Sequence, residues 1–504
     1  MKVSLINLNL VEEDAIGSCI VNQVRFFRRR GDDVRVYVME PPRNVPADVA
    51  AATRVVRLRD LIGGQEEHFS LSDLTVYHYP SRHELMESIR GIDRGTVIFY
   101  YHNVTPPELW GSDADRETLI KGVEGAALAH YADVCITPSP FNKQDLVERV
   151  GCDPDRVYVL PLAVPLAHFT PGDKDPQLLK QLNLEGRRVL LFVGRMAGNK
   201  RIDLLVEALA IVQRQAPGTR LLLVGDDRGS PVYAQTVAAA QARAVELGMA
   251  GDAIWTGQVA DLLPYYRLAD VYVTASLHEG FGVPLIEAMA CGLPVVASKS
   301  AAMPWVLACA GLLFEPGNAQ DLAEKTLAVL QDANLRGTLV ERGLERVQQF
   351  SLEAYEAGLG EIVDMARADR LPRLPVERIP AQGNASETEA AASYARDAMF
   401  LSFLAGELER SSDIAQRGYV VRSRAPLIGP LIAWVRRNLT SHLREPYLDP
   451  TIERQVAFNH QVAEWVHRAA GAWEVSARRQ AELEARVQEL EREIQVLAEP
   501  GKKR

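Results

Sequence analysis

Short apolar segments rich in β-branched residues alternate with helix-like stretches along much of this chain, and that alternation limits its fold more than any other feature. The segments at 2–8 and 33–39 lie on either side of a helical stretch, 18–30, which ends at Gly31. A glycine there is typical of a helix C-terminus, so the three pieces predict a β-α-β unit. Parallel sheets built from such units are covered by helices on both faces. Further strand-like segments of this first series are 75–80, 96–103, 132–139 and 156–164.

A second series of the same kind starts at 188–196, after a segment rich in proline and charge at 165–186. The helix predicted at 201–215 carries apolar residues at helical spacing, and three strand-like segments follow. We therefore predict an α/β fold with two doubly wound, Rossmann-like domains. Such sheets bind ligands outside the carboxyl ends of their strands, so the cleft between the domains is the expected binding site. The later strand-like segments are 220–226, 252–259 and 270–276.

The composition narrows the function and the location. The 504 residues carry a formal net charge of -10, whereas nucleic-acid-binding proteins have basic surfaces, so we expect no nucleic-acid partner. The five cysteines are scattered and form no Cys-x-x-Cys pair, which predicts neither a disulfide framework nor a zinc site. The first residues lack the basic segment of a signal peptide, and no uncharged apolar run reaches the roughly 18 residues that span a bilayer. We expect a cytoplasmic protein.

The strongest chemical signal is the stretch HEGFGVPLIEAMACGLPVV in the second series. Gly280 and Gly282 let the backbone approach a ligand closely, and Pro284, placed at the first helical position, starts a helix whose N-terminal amides form an anion site for a diphosphate. Glu279 in the loop and Glu287 in the first helical turn can accept hydrogen bonds from sugar hydroxyls. Alternatively, Glu287 only complements the helix dipole and the glycines only form a turn.

Glu279, seven intervening residues and Glu287 resemble the paired-glutamate motif of the family 4 glycosyltransferases, and the GFG-x-P-x-x-E-A-M-A-C-G-x-P-V-V context is similar too. The resemblance covers about residues 1–368. It implies the GT-B fold, transfer with retention of the anomeric configuration, and no protein nucleophile. The donor-binding residues that it implies in this loop and helix are Gly280, Phe281, Gly282, Val283 and Glu287.

The stretch VGRMAGNKRIDLLVEALA also resembles this family, in which Arg195 and Lys200 would bind the donor diphosphate. Both follow a predicted strand, so both cations lie at the carboxyl edge of the sheet, where they would stabilise a departing nucleotide diphosphate. His102 ends the strand IFYYHN, and the resemblance implies that it faces the donor hexose; a histidine at a strand end is about as often purely structural. Together with Glu279, these three residues form the expected catalytic set.

Two further positions belong to the expected donor site. Gly17, in the loop after the first strand, would approach the donor phosphate or the acceptor closely, although many relatives carry two glycines there. The resemblance places Val259 where family members contact the base through backbone atoms. Asp113 and Asp115 form the Asp-x-Asp pattern of metal-dependent transferases, but they lie in a polar loop. We therefore expect no metal and no cofactor, with a nucleotide diphosphate sugar as substrate.

The domain limits follow from changes in composition and, for one returning helix, from the resemblance. A linker with three prolines separates the catalytic region from a helical extension with a short heptad pattern at its end. The predicted limits are 1–170 for the first domain with a returning helix at about 350–368, 171–349 for the second, 369–392 for the linker and 393–504 for the extension.

The expected function is transfer of a hexose, with GDP-mannose as the expected donor, to a glycan or lipid-linked acceptor in cell-surface polysaccharide or glycolipid synthesis. Two alternatives stay open: a sugar-nucleotide epimerase on the same fold, and a scaffold with a decayed cleft. A dinucleotide oxidoreductase is disfavoured, because no Gly-x-Gly-x-x-Gly follows a strand with an acidic residue at the expected distance.

Two segments of the extension predict further partners. Residues 421–444 contain five arginines, apolar residues between them and no acidic residue, which suits peripheral contact with an anionic membrane at its inner face. Residues 483–497 carry the short heptad pattern, which predicts self-association or packing onto the preceding helices.

Overall fold

The computed structural model describes residues 1–12, 14–110, 113–227 and 229–368. The predicted linker, the helical extension, the membrane segment and the heptad segment lie outside these residues. Among the described residues, no helix is both long and apolar enough to cross a membrane.

The first sheet is entirely parallel, with seven strands in the order β3-β2-β1-β4-β5-β6-β7. The three-residue strand β3 was not predicted, and β7 is shorter than its predicted segment, since Pro161 lacks the backbone N–H that a continued strand would use. The strands are β1 (Lys2–Ile6), β2 (Asp33–Val38), β3 (Thr53–Val55), β4 (Leu74–Tyr79), β5 (Thr96–Tyr101), β6 (Val134–Thr137) and β7 (Val157–Val159).

The second sheet is also parallel and has six strands in the order β10-β9-β8-β11-β12-β13. Its strand order therefore repeats that of the first six strands of the first sheet, and both sheets are doubly wound as predicted. The order reverses beside β1 and β4 in one sheet and beside β8 and β11 in the other. The strands are β8 (Val189–Val193), β9 (Arg220–Val224), β10 (Ala253–Gly257), β11 (Val271–Thr274), β12 (Val295–Ser298) and β13 (Gly311–Phe314).

Helices follow most strands and cover the sheets. Helix α8 buries apolar side chains at helical spacing, among them Leu205, Leu209 and Val212. The helices are α1 (Ala15–Arg29), α2 (Ala47–Ala52), α3 (Leu58–Ile62), α4 (Glu67–Ser70), α5 (Asp113–Gly125), α6 (Pro140–Val150), α7 (Pro176–Gln181), α8 (Ile202–Gln215), α9 (Pro231–Glu246), α10 (Leu263–Leu268), α11 (Val283–Ala290), α12 (Met303–Leu307), α13 (Ala319–Gln331), α14 (Ala333–Arg346) and α15 (Leu352–Arg367).

Helix α15 packs against α1, the first helix of the chain. Tyr355 of α15 is buried and its hydroxyl accepts a hydrogen bond from Gln23 at 2.9 Å. Arg30 reaches the carboxylate of Asp364 at 2.6 Å, and Arg29 pairs with Glu356. The last helix of the described chain is thus held against α1, a helix that covers the first sheet.

Of the described residues, Met1–Arg57, His68–Ile89 and the chain from Gly95 to Ala368 belong to one compact unit, which holds both sheets. Leu58–Glu67 and Arg90–Arg94 belong to a second unit, and the first of these two segments contains α3.

Candidate functional site

Two loops meet at the point where the strand order of the second sheet reverses. One follows β8 and the other follows β11. The amide of Leu277 donates to the carbonyl of Asn199 at 2.8 Å, and the Asn199 side chain donates to the carbonyl of His278 at 3.0 Å. Ligands of doubly wound sheets bind at such reversal points, so these two loops form the candidate site.

Lys200 and Glu279 join these loops through an ion pair. The ammonium nitrogen lies 2.6 Å from Oε1 of Glu279, and the Ser276 hydroxyl donates to the same oxygen at 2.9 Å. Burial acts to raise the pKa of Glu279, but the charge and hydrogen bond of Lys200 and the bond from Ser276 lower it below its usual value. Glu279 is therefore a carboxylate held next to a buried cation, as a charged site for a polar ligand requires.

Helix α11 begins directly after this loop. Gly282 is its N-cap in the left-handed conformation, with φ at 94°, which a glycine adopts without steric cost. Val283 is its first residue, partly exposed, and Pro284 the second, so the prediction that placed Pro284 first was wrong by one position. A helix N-terminus favours an anion through its dipole and its unpaired amides. In α11, Pro284 has no N–H and the Leu285 amide donates to the Gly282 carbonyl at 3.0 Å.

Glu287 lies in the second turn of α11 and not in the first, because the helix starts only at Val283. Its carboxylate accepts a hydrogen bond from the hydroxyl of Tyr266 at 2.6 Å, and both side chains are buried. Burial raises the pKa of Glu287 to about 7, while the bond from Tyr266 acts in the opposite direction. A carboxyl whose pKa lies near neutral pH can either accept a hydrogen bond from a hydroxyl or donate one to it.

Arg195 follows β8 after one intervening residue, Gly194, and is exposed. Its charge acts on Asp14, the N-cap residue of α1 in the first half of the fold: desolvation raises the pKa of Asp14, and Arg195 partly offsets that shift. Arg195 is thus close enough to the start of α1 for its charge to act on Asp14.

His102 is the first residue after β5 of the first sheet, and its backbone lies against the glycine loop of the second. A Cβ built on Gly280 would lie 2.7 Å from the His102 carbonyl oxygen, closer than real Cβ contacts. The hydroxyl of Ser139, the N-cap residue of α6, donates to the Gly280 carbonyl at 3.3 Å. The structure therefore brings His102 and the predicted donor loop together.

The remaining predicted residues have different surroundings. Gly17 is not in the loop after β1 but in the first turn of α1, where a Cβ would lie 1.8 Å from the Val11 carbonyl oxygen. It lets that loop pack onto the helix. Phe281 is buried against Phe350, with ring centroids 5.7 Å apart. Val259 is partly exposed just after β10.

Asp113 and Asp115 begin α5 and do not lie in a loop, in contrast to the prediction. Within the described residues, no group of three or more His, Cys, Asp or Glu side chains is arranged to hold a metal ion. Metal independence stays a prediction.

Sequence reasoning missed Tyr266, the hydrogen-bond partner of Glu287. It also missed His78, the hydrogen-bond partner of His102, and Gln23, the partner of His78. The signal available for His78 was a histidine inside the apolar strand segment TVYHYP, where an unpaired polar group would be costly. No sequence pattern indicated Tyr266, because its hydrogen bond to Glu287 joins two helices that are separated by a strand.

Comparison with known proteins identifies the family to which this chain belongs. A family model described as Glycosyltransferase Family 4 matches residues 16–168, and one described as Glycosyl transferases group 1 matches residues 187–332. The O-antigen chain mannosyltransferase B of Escherichia coli is 30% identical over 273 residues, which cover 52% of this chain and 68% of that protein. The chain belongs to the family 4 glycosyltransferases.

A further relative and a solved structure are similar to this family 4 glycosyltransferase. The D-inositol 3-phosphate glycosyltransferase of Segniliparus rotundus is 33% identical over 248 residues, 48% of this chain, and the chain spans only 54% of that relative's length. The crystal structure of HepE from Anabaena with UDP-glucose has a TM-score of 0.58 at 18% identity and covers 72% of this chain and 99% of its own. The two Rossmann-like sheets match it, so the predicted GT-B fold is confirmed.

Proposed function

We propose that this chain transfers a hexose from a nucleotide diphosphate sugar to a glycan or lipid-linked acceptor, with retention of the anomeric configuration. The observation that carries the proposal is the ion pair of Lys200 and Glu279 at the reversal point of the second sheet, next to the N-terminus of α11. A cation beside a helix N-terminus suits a diphosphate, and carboxylates suit hydroxyls. A nucleotide diphosphate sugar offers both groups in one molecule.

The proposed reaction needs no protein nucleophile. The acceptor hydroxyl attacks the anomeric carbon on the face from which the diphosphate leaves, so the new C–O bond forms as the bond to the phosphate oxygen breaks. The hydroxyl proton passes to the departing diphosphate. Lys200, Arg195 and the α11 amides stabilise the negative charge that grows on the leaving group.

The role of Glu287 in this proposal is to bind hydroxyl groups of the nucleotide part. Tyr266 occupies one of its two carboxyl oxygens at 2.6 Å, which leaves the other to a ligand. Phe281 contributes its backbone and Gly282 its left-handed turn, while Val259 would meet the base through its backbone.

The proposal also names the sugar that is transferred and the class of acceptor. We propose mannose, from GDP-mannose, and an acceptor in polysaccharide or glycolipid synthesis; one relative is named as an O-antigen chain mannosyltransferase. HepE was solved with UDP-glucose, so UDP-glucose is the second donor to test. Peripheral membrane contact through 421–444 and self-association through 483–497 belong to the same proposal.

The test is a donor screen followed by product analysis. GDP-mannose, UDP-glucose and their free nucleotides are added to the full chain in thermal unfolding, where a ligand at 100 times its Kd adds about 2.7 kcal/mol of stability. The stabilising sugar nucleotide is then incubated with the protein, and the products are identified. Release of nucleoside diphosphate supports the proposal. An epimerised sugar nucleotide among the products would show that the chain is a sugar-nucleotide epimerase instead. Binding without turnover would indicate a scaffold with an inactive cleft.

A further inference from the structure

A buried series of polar side chains connects His102 to helix α15. Nε2 of His102 lies 2.9 Å from Nδ1 of His78 in β4, and Nε2 of His78 lies 2.9 Å from Oε1 of Gln23 in α1. The Gln23 amide nitrogen donates to the hydroxyl of Tyr355 at 2.9 Å. All four side chains are buried, so water cannot replace these hydrogen bonds.

The direction of each hydrogen bond follows from the Gln23 amide. Its nitrogen has two partners, the Tyr355 hydroxyl and, at 3.9 Å, the sulfur of Cys19, so both of its hydrogens are used on that side. The amide oxygen faces His78 and can only accept. His78 therefore carries its proton on Nε2.

The proton of His102 is fixed in turn. Burial lowers the pKa of His78 well below its usual value and that of His102 to about 3, so each ring is neutral and holds one proton. Since Nδ1 of His78 is then an acceptor, Nε2 of His102 must donate to it. Nδ1 of His102 keeps a free lone pair, and in the described part of the chain this buried atom has no hydrogen-bond partner.

Stacking holds the His102 ring in one orientation. The ring of Tyr100 lies nearly parallel to it, with centroids 4.5 Å apart and planes at 14°. The His78 ring is nearly coplanar with it, with planes at 12° and centroids 5.2 Å apart, as their edge-to-edge hydrogen bond requires. Rotation of the imidazole would break the bond to His78 and the stacking on Tyr100. The unpaired nitrogen is therefore held in place before any ligand arrives, on a residue whose carbonyl lies against Gly280 of the donor loop.

We infer that Gln23 and His78 are positioning residues that hold the proton of His102 on Nε2 and so reserve its Nδ1 as a hydrogen-bond acceptor for a hydroxyl of the donor hexose. The inference rests on the proposed function, since a bound sugar supplies that hydroxyl. A neutral acceptor discriminates for a hydroxyl because a buried lone pair left without a donor is costly.

The position of the proton can be measured without any activity. The full chain is labelled with 15N-histidine, and the signals of His102 are identified by their loss in His102→Phe. The inference predicts one protonated nitrogen, Nε2, and an unprotonated Nδ1 whose 15N shift changes with GDP-mannose or UDP-glucose but not with GDP or UDP alone. A proton on Nδ1 would overturn it.

Two variants test the series itself. Gln23→Met removes the acceptor for His78, and His78→Phe keeps the ring stacking but removes both hydrogen bonds. Each should weaken binding of the stabilising sugar nucleotide at least about fivefold, because the variant loses one hydrogen bond to the sugar. The affinity for the free nucleoside diphosphate should stay unchanged. Val24→Ala, in the same helix and equally buried, is the control for general destabilisation and should change neither affinity.

Equal losses for the sugar nucleotide and the nucleotide, or no loss in either variant, would contradict the positioning role. A wild-type chain that binds no sugar nucleotide would overturn the proposed function, and the proton position on His102 would still decide whether the series acts as inferred.

Discussion

The ammonium group of Lys200 contacts Oε1 of Glu279 at 2.6 Å, although one residue follows β8 and the other follows β11. The exposed fractions of the two side chains are 11% and 18%. Such a pair is stable only while both charges are present, because removing one leaves the other poorly solvated. It also aligns Lys200 in the loop where the diphosphate is proposed to bind.

Glu279→Gln tests this pair. The substitution keeps the shape and removes the charge, so Lys200 loses its partner, and we expect turnover of the donor to fall at least about tenfold, near 1.4 kcal/mol. Kinetics with the stabilising sugar nucleotide measure the loss. The control is Glu315→Gln, whose pair with Lys299 is exposed and contributes about 0–1 kcal/mol. Kinetics of Glu279→Gln equal to those of the control would contradict the role given to the pair.

The carboxyl of Glu287 predicts a pH dependence of stability. Its pKa is about 7 in the folded protein because of burial, and about 4.3 in an unfolded chain. Between these values the folded state binds a proton that the unfolded state lacks, so stability falls as pH rises, by up to about 3–4 kcal/mol. In Glu287→Gln this contribution is absent. The Tm of the wild type minus that of the variant should therefore be larger at pH 5 than at pH 8.

Tyr266→Phe extends that prediction, since the bond from Tyr266 lowers the pKa of Glu287. Without it the carboxyl should stay protonated to a higher pH, and the fall in Tm should move upward with it. A Tm difference between wild type and Glu287→Gln that does not depend on pH would show that the carboxyl titrates normally.

Gly280 tests the contact between the donor loop and the first sheet. A methyl group there would lie 2.7 Å from the His102 carbonyl oxygen, so Gly280→Ala must displace the loop from β5. We expect at least about a tenfold loss of turnover, because a small misplacement of the reacting groups is costly. Gly337→Ala in α14 has open space around it and should instead add roughly 0.5–1 kcal/mol of stability. Full activity of Gly280→Ala would show that the position of this loop does not affect the reaction.

Much of the site could be predicted because it lies where strands end. The period of the apolar segments gives the strands, and Arg195, Lys200 and Glu279 follow β8 and β11, which the topology places side by side. Gly17 was misplaced by the same logic: α1 starts at Ala15, earlier than its apolar pattern indicates, and turns the expected loop glycine into a helical one.

The polar partners could not be predicted, because they depend on packing between distant elements. The acceptor of His78 is a glutamine in α1, and that glutamine is oriented by a tyrosine in α15. No local pattern in any of these three segments indicates the other two. The raised pKa of Glu287 likewise follows from burial, which only the assembled core provides.

Activity should survive EDTA. In the proposed reaction Lys200, Arg195 and the amides of α11 stabilise the leaving diphosphate in place of a metal ion. Donor turnover measured before and after dialysis against EDTA tests this, and recovery of a lost activity by magnesium would contradict it. Lys200→Ala, which removes one of these charges, should reduce turnover at least about tenfold in the presence or absence of magnesium.

Retaining transfer is tested by a proton NMR time course of the stabilising sugar nucleotide with the full chain. We expect cleavage between the anomeric carbon and the diphosphate, and a hexose that first appears with the anomeric configuration of the donor, either free or linked to an added acceptor. Inversion at the anomeric carbon, or no cleavage of GDP-mannose, UDP-glucose or any other sugar nucleotide, would contradict it.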